Sequence, residues 1–336
     1  MDNEGVKMDY NVAKEKFERL FKNEMSEDEA KNFLVELYKK GEEASEIAAA
    51  ADVMRAHSIK LPVSEDLREK LIDIVGTGGD KSNSFNISST TALLISSIGS
   101  FVAKHGNRSI TSKSGSADML EALGINLNLS PQNQVKMLEE VGFTFIFAIN
   151  HHPAMKHIMP IRKSLPHRTI FNILGPLTNP AGAKKYLLGV FSPDFVEKIA
   201  AALTLMDINS AMVVSSLDGM DEISIAAPTK AVYYNGVRLE DLTIRPESFG
   251  IRGNKEDLIG GDAKQNAKIT RGILEGVIKG PKRDAVLLNA AAALFVDGKV
   301  NSVEEGIKVA AEAIDSGKAI KHLEKIIKLS NKLSEK

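Results

Sequence analysis

The spacing of apolar residues near the start of the chain predicts a small block of helices. Ser26 followed by Glu29 fits a helix-capping box, and Gly41 stands where that helix would end. Between them, apolar side chains recur at helical spacing at Ala30, Phe33, Leu34 and Leu37. Ser45 is placed to cap a further helix reaching about Arg55. We therefore expect an all-helical unit over roughly the first 70 residues.

Short apolar runs replace the helical spacing from residue 71 onward and predict buried strands. LIDIV at 71–75 is followed at once by glycines, as expected of a parallel strand entering a loop. Similar runs are FVA at 101–103, FTFIFAI at 143–149, YLLGVF at 186–191 and AMVVSS at 211–216. Helical stretches separate them, at about Ser88 to Ile98, Ser116 to Leu123 and Phe195 to Leu205, and more follow from Ala285. This alternation predicts an α/β domain with a mostly parallel central sheet.

A proline-rich segment between about Pro153 and Ala183 interrupts the alternation and holds five prolines. Proline removes a backbone N–H and its ring clashes with the preceding helical turn, so helices should not extend far here. We expect a hinge, or a return of the chain to the helical unit.

Composition narrows the class of protein. The 336 residues suffice for two domains, and a net charge of −1 provides no general field for nucleic acid or anionic membrane. The absence of cysteine excludes disulfides, thiolate nucleophiles and cysteine-bound metals. No apolar run approaches the roughly 20 residues that span a bilayer, and the N-terminus lacks the apolar core of a signal peptide. We therefore expect a cytoplasmic protein with no nucleic-acid or membrane partner.

Two consecutive motifs predict a phosphate site after the first strand. GTGGD at 76–80 lets backbone N–H groups approach an anion because three of its residues lack a Cβ. It is neither a P-loop nor a dinucleotide fingerprint, since no Gly-Lys-Ser/Thr follows and Lys81 replaces the third glycine. NISST at 86–90 opens a helix whose N-terminus adds N–H donors and hydroxyls. The alternatives are a plain strand-to-helix turn and a simple N-cap.

The densest polar cluster follows the second predicted strand. KHGNRSITSKSGSAD at 104–118 combines cations, amides and hydroxyls in one block. It predicts the second half of a phosphate and pyrophosphate site, in which Lys104 and Arg108 supply the positive charge that the glycine loop lacks. The alternative is a solvated connection.

Asp221 and Glu222, in SLDGMDEISIA, are adjacent carboxylates before a short β-like run. Carboxylate oxygens beside a polyphosphate suit Mg²⁺, whereas the alternative is a pair of solvated acids. Neighbouring side chains of a regular strand point to opposite faces. Both acids can therefore serve one site only if the backbone turns, as Gly219 permits, or if each holds a different ion.

Arg162 lies in the proline-rich segment and can clamp a carboxylate with two hydrogen bonds, although a lone arginine is usually a surface residue. From the residues alone we expect an Mg²⁺-dependent transferase that acts on a sugar pyrophosphate and a second anionic substrate.

Together these motifs resemble the anthranilate phosphoribosyltransferase family. The matching segments are GTGGD at 76–80, NISS at 86–89, KHGNRSITSKSGSAD at 104–118, HPAMK at 152–156, RTIFNILGPLTNPA at 168–181, MDEIS at 220–224 and VLLNAAAAL at 286–294. They follow the family's order and spacing, although Pro166 stands where the family commonly has glycine.

The resemblance implies a small helical domain joined to a larger α/β domain, an active site in the hinge cleft, and a homodimer formed through the helices. The helical domain would comprise residues 1–70 with about 160–184, and the α/β domain residues 71–159 with 185–336.

The resemblance also implies the substrates, anthranilate and phosphoribosyl pyrophosphate, and Mg²⁺ as the cofactor, with two ions per site. The positions for phosphoribosyl pyrophosphate are Gly76, Gly79, Asp80, Ser84, Asn86, Ile87, Ser88, Ser89, Lys104, His105, Gly106, Asn107, Arg108, Ser109, Ile110, Thr111, Ser112 and Ser116. The positions for anthranilate are Gly76, Asn107, Arg162, His152 and Pro176. The magnesium positions are Ser88, Asp221 and Glu222, and the predicted catalytic residues are Lys104, Arg108 and His105.

The charge that develops in this reaction predicts the roles of these groups. Lys104, Arg108, backbone N–H groups and Mg²⁺ would stabilise the departing pyrophosphate. An aromatic amine is unprotonated at neutral pH and needs no activating base. His105, His152 or water can take its proton after attack.

Two other functions fit parts of the sequence. A pyrimidine nucleoside phosphorylase-like enzyme would share the architecture and the glycine loop but would need no Asp-Glu magnesium pair. A non-catalytic nucleic-acid-binding paralogue should show a basic surface and a degraded KHGNR loop. The net charge of −1 and the intact loop argue against it.

Overall fold

The N-terminal part of the chain is helical, in a computed structural model that describes residues 8–80, 82–108 and 114–334. Its helices are α1 (Tyr10–Phe21), α2 (Glu27–Lys40), α3 (Ala44–Ala56) and α4 (Glu65–Arg68). As predicted, the Ser26 hydroxyl accepts from the Glu29 N–H at 3.2 Å, and Gly41 ends α2 with a φ of 79°. The apolar positions of α2 are buried, so these helices pack against one another.

The prediction that Ser45 caps α3 is wrong. Glu43 is the N-cap residue, and its backbone N–H donates to the Glu46 carboxylate at 3.0 Å. Ser45 lies inside the first turn, where its hydroxyl donates to the Met8 carbonyl. A glutamate at this position supplies the negative charge that a free helix N-terminus favours, so no hydroxyl side chain is needed as the cap.

A seven-stranded sheet forms the centre of the rest of the chain, in the order β3-β2-β1-β4-β5-β6-β7. Its strands are β1 (Leu71–Gly76), β2 (Phe101–Gly106), β3 (Phe143–Phe147), β4 (Lys185–Gly189), β5 (Ser210–Ser216), β6 (Thr229–Tyr234) and β7 (Leu239–Ile244). The first five are parallel, and β6 and β7 extend the sheet antiparallel. The predicted α/β class with a mostly parallel sheet is confirmed.

Helices cover both faces of this sheet. They are α5 (Ile87–Ser97), α6 (Ser116–Ala122), α7 (Pro131–Val141), α8 (Ala148–His151), α9 (Met155–Ser164), α10 (Phe171–Leu174), α11 (Val196–Thr204), α12 (Ala263–Leu274), α13 (Pro281–Asp297), α14 (Val303–Asp315) and α15 (Lys318–Ser334). The 3₁₀ turns are Gly175–Leu177, Pro193–Phe195, Pro246–Phe249 and Lys255–Leu258. Within the described ranges, no helix has the length and apolar character to cross a bilayer.

Alternate residues of β1 face two different apolar cores, because strand side chains alternate in direction. Ile72 and Ile74 join the core that contains α5 and α13. Leu71 and Val75 join the core that contains α1 to α3 and the proline-rich segment. Asp73 lies between Leu71 and Val75 along the strand and is fully buried. A carboxylate therefore faces the helical core.

The direction in which strands are added reverses between β1 and β4. The chain proceeds from β1 to β2 and β3 on one side, and from β4 to β5 on the other. In open α/β sheets such a reversal opens a crevice at the carboxyl ends of the strands. Gly76 at the end of β1 pairs with Gly189 at the end of β4. The predicted glycine loop thus leaves the sheet at this crevice.

Two expectations about the middle of the chain need correction. The FTFIFAI run is a strand only as far as Phe147, and Ala148 begins the short helix α8. The proline-rich segment contains the ten-residue helix α9, with Pro160 inside it. Pro160 lacks one N–H and therefore removes one internal hydrogen bond, whereas the neighbouring Pro153 and Pro166 lie outside the helix.

The proline-rich segment lies against the N-terminal helices. Helix α9 contacts α1 and α2, and α10 contacts α3. These contacts support the proposed discontinuous helical domain, whose boundaries stay a prediction.

Candidate active site

The glycine loop after β1 approaches a carboxylate closely. Gly78 and Gly79 have φ values of 67° and 77°, a left-handed conformation that glycine adopts without strain. The Gly78 N–H donates to Asp221 Oδ2 at 2.6 Å. A Cβ on Gly76 would lie only 2.4 Å from the same oxygen. The loop therefore needs glycine both for its turn and for its contact with Asp221.

The loop after β5 brings Asp221 and Glu222 to the same place. The chain bends here, with Gly219 at a φ of 90°, and the expected β-like run after Glu222 does not form. Glu222 Oε1 accepts from the Ser88 N–H, at the start of α5, at 3.2 Å. Of the two arrangements open to adjacent acids, the turned backbone is the one observed.

The two carboxyl groups are electrostatically strained. Burial raises the pKa of Asp221, and the neighbouring Asp80 raises it further. Burial likewise raises the pKa of Glu222, and the adjacent Asp221 adds to the shift. A cation placed here would relieve this repulsion.

Lys104, on β2, provides a buried positive charge beside these acids. Its side chain is 2% exposed, and its Nζ donates to the Ile74 carbonyl at 2.6 Å and to the Ser88 hydroxyl at 3.3 Å. Burial lowers the pKa of Lys104, whereas Asp73 and Glu222 oppose that shift. The ammonium group thus lies beneath the N-terminus of α5, where the NISST motif predicted an anion site.

Two buried histidines are in contact next to Lys104. His105 Nδ1 lies 3.1 Å from the Gly175 carbonyl, and its Nε2 lies 3.3 Å from Nε2 of His152. A carbonyl only accepts, so the proton of His105 is on Nδ1, and His152 Nε2–H donates to His105. This leaves His152 Nδ1 as a buried lone pair without a partner among the described residues. Burial lowers the pKa of His105 to about 3 and that of His152 to about 4, so both rings are neutral at pH 7.

Arg162 lies half-buried on α9. Its guanidinium lies 5.4 Å from the Phe171 ring centroid, and Nη1 lies 3.5 Å from the Met159 sulfur. Within the described part of the chain, no carboxylate forms an ion pair with Arg162. Burial lowers the pKa of this residue, and the cost of burying its charge would fall if an anion bound. Pro176, the other predicted anthranilate position outside the loops, is buried next to the Gly175 carbonyl that holds His105.

Arg108 takes a different position from the other predicted cations. It forms ion pairs with Asp118 at 2.8 Å and Glu121 at 2.7 Å and lies over the Phe147 ring. Its side chain is 47% exposed. Two carboxylates therefore neutralise the charge that sequence reasoning assigned to pyrophosphate.

The remaining predicted positions line the loops around Lys104. The Asn107 carbonyl accepts from the Ser116 hydroxyl at 3.4 Å, and a Cβ on Gly106 would lie 2.8 Å from that hydroxyl. Ser84 accepts a hydrogen bond from Ser82, whereas Ile87 and Ser89 are buried. The predicted positions Ser109, Ile110, Thr111 and Ser112 lie outside the described residues.

Comparison with known proteins assigns the family. Residues 4–58 match a glycosyl transferase family model described as a helical bundle domain, and residues 68–320 match the model of its a/b domain. Anthranilate phosphoribosyltransferase of Methanobrevibacter smithii is 49% identical over 94% of this chain and 92% of its own length. That of Thermomicrobium roseum is 45% identical over 98% and 95%.

The solved structures agree. Anthranilate phosphoribosyltransferase from Thermus thermophilus superposes with a TM-score of 0.90 at 40% identity, covering 97% of each chain. The Saccharomyces cerevisiae enzyme in complex with PRPP and Mg has a TM-score of 0.85 at 28% identity, covering 96% of this chain and 93% of that one. This chain belongs to the anthranilate phosphoribosyltransferase family.

The family assignment favours neither of the two alternatives, the nucleoside phosphorylase-like enzyme and the nucleic-acid-binding paralogue.

The candidate magnesium residues have the chemistry that Mg²⁺ requires. Asp221, Glu222 and the Ser88 hydroxyl supply hard oxygen donors, and burial together with the repulsion between neighbouring acids raises the pKa values of both carboxyl groups. Across the described ranges, no three His, Cys, Asp or Glu side chains gather as a metal site. Mg²⁺ usually keeps water and substrate oxygens as ligands, so two carboxylates beside a pyrophosphate site fit it.

Sequence reasoning missed three residues that organise this site, namely Asp73, Asn179 and Gly189. A Cβ on Gly189 would lie 1.7 Å from the Asp221 carbonyl, so this glycine makes room for the acidic loop. Asp73 accepts from the His105 N–H at 3.1 Å and from Asn179 Nδ2 at 2.8 Å, which ties β1 and β2 to the proline-rich segment. An acid inside the otherwise apolar LIDIV run was the available signal for Asp73.

Proposed function

We propose that this chain transfers the phosphoribosyl group of phosphoribosyl pyrophosphate to the amine of anthranilate. The products are N-(5-phosphoribosyl)anthranilate and pyrophosphate, as in tryptophan biosynthesis. The observation that carries the proposal is the meeting of the glycine loop, the Asp221–Glu222 pair and buried Lys104 in one crevice. The S. cerevisiae relatives, solved with PRPP and Mg and with 4-fluoroanthranilate, support this choice of substrates.

The phosphate and pyrophosphate groups are proposed to bind between the glycine loop and the N-terminus of α5. Free N–H groups at a helix N-terminus favour anions, and Lys104 adds a positive charge from below. Asp221, Glu222 and Ser88 would hold two Mg²⁺ ions, which supply further positive charge to the departing pyrophosphate. The protein's own contribution is a set of fixed donors that need not reorganise as negative charge develops.

Anthranilate is proposed to lie beside the histidine pair, with its carboxylate on Arg162. A guanidinium matches a carboxylate with two parallel hydrogen bonds. After attack the amine must lose a proton, and the partnerless Nδ1 of His152 is an acceptor in this region. Its low pKa suits transient acceptance and onward loss to water rather than stable protonation.

Anthranilate fluorescence provides the test of this function. Mixing the protein with anthranilate, phosphoribosyl pyrophosphate and Mg²⁺ should cause a loss of fluorescence that depends on all three components. If the fluorescence does not fall even when phosphoribosyl pyrophosphate and Mg²⁺ are in excess, the proposal is overturned. Phosphorolysis of a pyrimidine nucleoside, measured in parallel, would instead identify the phosphorylase-like alternative.

A further inference from the structure

Residues 258–260 pack directly on residues 83–85, which lead into α5 at the proposed phosphate site. The Phe85 N–H donates to the Leu258 carbonyl, and the Gly260 N–H donates to the Asn83 carbonyl, both at 2.9 Å. A Cβ on Gly260 would lie 2.7 Å from Phe85 Cα and 2.5 Å from Asn266 Oδ1. Close packing therefore brings α12, which begins at Ala263, against the residues that lead into α5.

Helices α5 and α12 are joined by two buried polar bridges, four residues apart on each helix. Asn266 Nδ2 donates to Asn86 Oδ1 at 2.9 Å, and one turn further on the Thr90 and Thr270 hydroxyls lie 2.8 Å apart. Asn266, Thr90 and Thr270 are each no more than 1% exposed. Only the first bridge reaches the side chain of Asn86, a residue of the proposed phosphate site that precedes α5. The second bridge reaches only the Asn86 backbone carbonyl, through Thr90.

Donors and acceptors along this network fix which end of the Asn86 amide faces the site. The Gly261 backbone N–H can only donate, and it bonds Asn266 Oδ1 at 2.8 Å. Asn266 must therefore turn its NH₂ towards Asn86, and the side-chain oxygen of Asn86 accepts this hydrogen bond. The Asn86 NH₂ consequently faces the opposite way, where it donates to the Ser114 carbonyl at 3.3 Å. That NH₂ has two N–H groups, so Ser114 takes one and the second can donate to a phosphate oxygen.

We propose that Asn266 is a positioning residue for phosphoribosyl pyrophosphate: it locks the Asn86 amide with its donor end towards the phosphate. This inference rests on the proposed function. Without the lock, only two longer contacts to Ser114 orient the amide, at 3.3 Å from its NH₂ and 3.4 Å to its oxygen. The nearly isosteric amide can then rotate and present its oxygen, which repels a phosphate oxygen. No motif of the sequence pointed to this residue, because its effect passes through Asn86.

Kinetics of matched variants test the proposal. Asn266→Asp keeps the shape and the acceptor for Gly261 but turns an acceptor towards Asn86, and should raise the KM for phosphoribosyl pyrophosphate on the order of tenfold or more. The KM for anthranilate should stay within about twofold, because the side chain of Asn266 bonds Gly261 and Asn86 and neither is a proposed anthranilate position. Asn266→Ala removes the lock without reversing it and should give a smaller rise in the same parameter.

Thr270→Val is the control, because it removes the other bridge between the same helices. Thr90 donates its proton to the Asn86 carbonyl at 2.9 Å, so Thr270 is the donor in their contact, and valine leaves Thr90 still bonded. Both KM values should match those of the wild type. If Asn266→Ala and Thr270→Val show equal KM values for phosphoribosyl pyrophosphate, Asn266 is merely structural and the proposal fails. This comparison stands even if Asn266→Asp does not fold.

Calorimetric binding of pyrophosphate with Mg²⁺ separates this inference from the proposed function. If the wild type has no transferase activity but binds pyrophosphate, the proposed function is wrong. The role of Asn266 in orienting Asn86 is then tested by the pyrophosphate affinities of the variants. Weaker binding by Asn266→Ala than by Thr270→Val supports the lock, and equal binding overturns it.

Discussion

Arg162 is a half-buried cation without a carboxylate partner among the described residues, and this makes it the residue that best separates the two proposed substrates. Arg162→Ala should raise the KM for anthranilate and leave that for phosphoribosyl pyrophosphate nearly unchanged. A charge-assisted contact contributes roughly 1.5–3 kcal/mol, which is on the order of 10- to 100-fold in affinity. Arg162→Lys should recover little of the anthranilate affinity, because an ammonium group cannot form the two parallel hydrogen bonds of a planar guanidinium.

Steady-state kinetics with each substrate varied in turn measure the effect of Arg162. The neighbouring Lys163, which is exposed on the same helix, provides the control in Lys163→Ala. An effect confined to phosphoribosyl pyrophosphate would move Arg162 to the phosphate site and contradict the proposed position of anthranilate.

The paired acids lead to a prediction about metal. Asp221→Asn combined with Glu222→Gln should raise the Mg²⁺ concentration needed for activity and lower turnover. Folding should be largely spared, because burial and repulsion raise the pKa of both groups and the substitutions remove that strain. Activity is titrated against Mg²⁺, with Asp241→Asn on the exposed face of β7 as the control. Superimposable titration curves for the double variant and the wild type would refute the assignment.

The two buried histidines predict how stability depends on pH. Their pKa values of about 3 and about 4 lie below the ordinary 6.5, so between these limits the unfolded chain binds more protons than the folded one. The contribution of these two histidines to stability should therefore fall as pH decreases below about 6.5, whereas the raised pKa values of Asp221 and Glu222 act in the opposite direction. At pH 5 each histidine costs about 2 kcal/mol by this linkage.

Urea unfolding at pH 7 and pH 5 checks the histidine prediction. His152→Gln should lose about 2 kcal/mol less than the wild type between these two pH values. Equal losses would mean that His152 is accessible to water in the folded protein.

At the scale of elements, the end of β4 controls the acidic loop. Gly189→Ala would place a Cβ 1.7 Å from the Asp221 carbonyl, so the loop that carries both acids must move. We expect a loss of activity on the order of 100-fold, as for a misplacement of about 1 Å near the reacting groups. The sheet should remain folded, as measured by circular dichroism. Ser216→Ala, on the neighbouring strand β5, should retain activity, because its buried hydroxyl has no partner among the described residues. Activity retained by Gly189→Ala would show that the acidic loop is not needed where it lies.

The elements show which features a sequence can predict. The LIDIV and AMVVSS runs became β1 and β5 because a strand buried on both faces consists mostly of apolar residues. The strand β7 was missed because one of its faces is exposed and its sequence, LEDLTI, carries two acids. The strand β6 was missed as well. Helix α9 was missed because the density of prolines in the whole segment was weighed, although only Pro160 lies inside the helix.

The site shows the same division. Glycines and paired acids were visible because their chemistry is local, and the structure brings them together in the crevice. The role of Gly189 depends on a backbone 32 positions later in the chain, and that of Asn266 on a residue 180 positions earlier. Such contacts exist only after the sheet has assembled, so no motif records them.

At the scale of the whole molecule, the near-neutral net charge of −1 means that anionic substrates are not gathered by a general field. Binding must come from the buried Lys104, the half-buried Arg162 and the backbone donors of the crevice. Because buried charges are screened less by salt than exposed ones, the affinity for phosphoribosyl pyrophosphate should depend only weakly on ionic strength.

The homodimer is the prediction that belongs to the whole molecule. The N-terminal helices could form it through apolar side chains that one chain leaves exposed. In the structure their large apolar side chains, such as Phe17 and Leu34, are buried within the chain, while Val12 and Tyr38 are 44% and 48% exposed. The homodimer therefore rests on the family resemblance, with these two side chains available to a self-complementary twofold contact. Sedimentation equilibrium at micromolar concentration should give about twice the chain mass of 36.4 kDa. Val12→Glu with Tyr38→Glu should shift the equilibrium towards the monomer if these helices form the contact. A single species of one chain mass throughout the concentration range for the wild type would exclude the dimer.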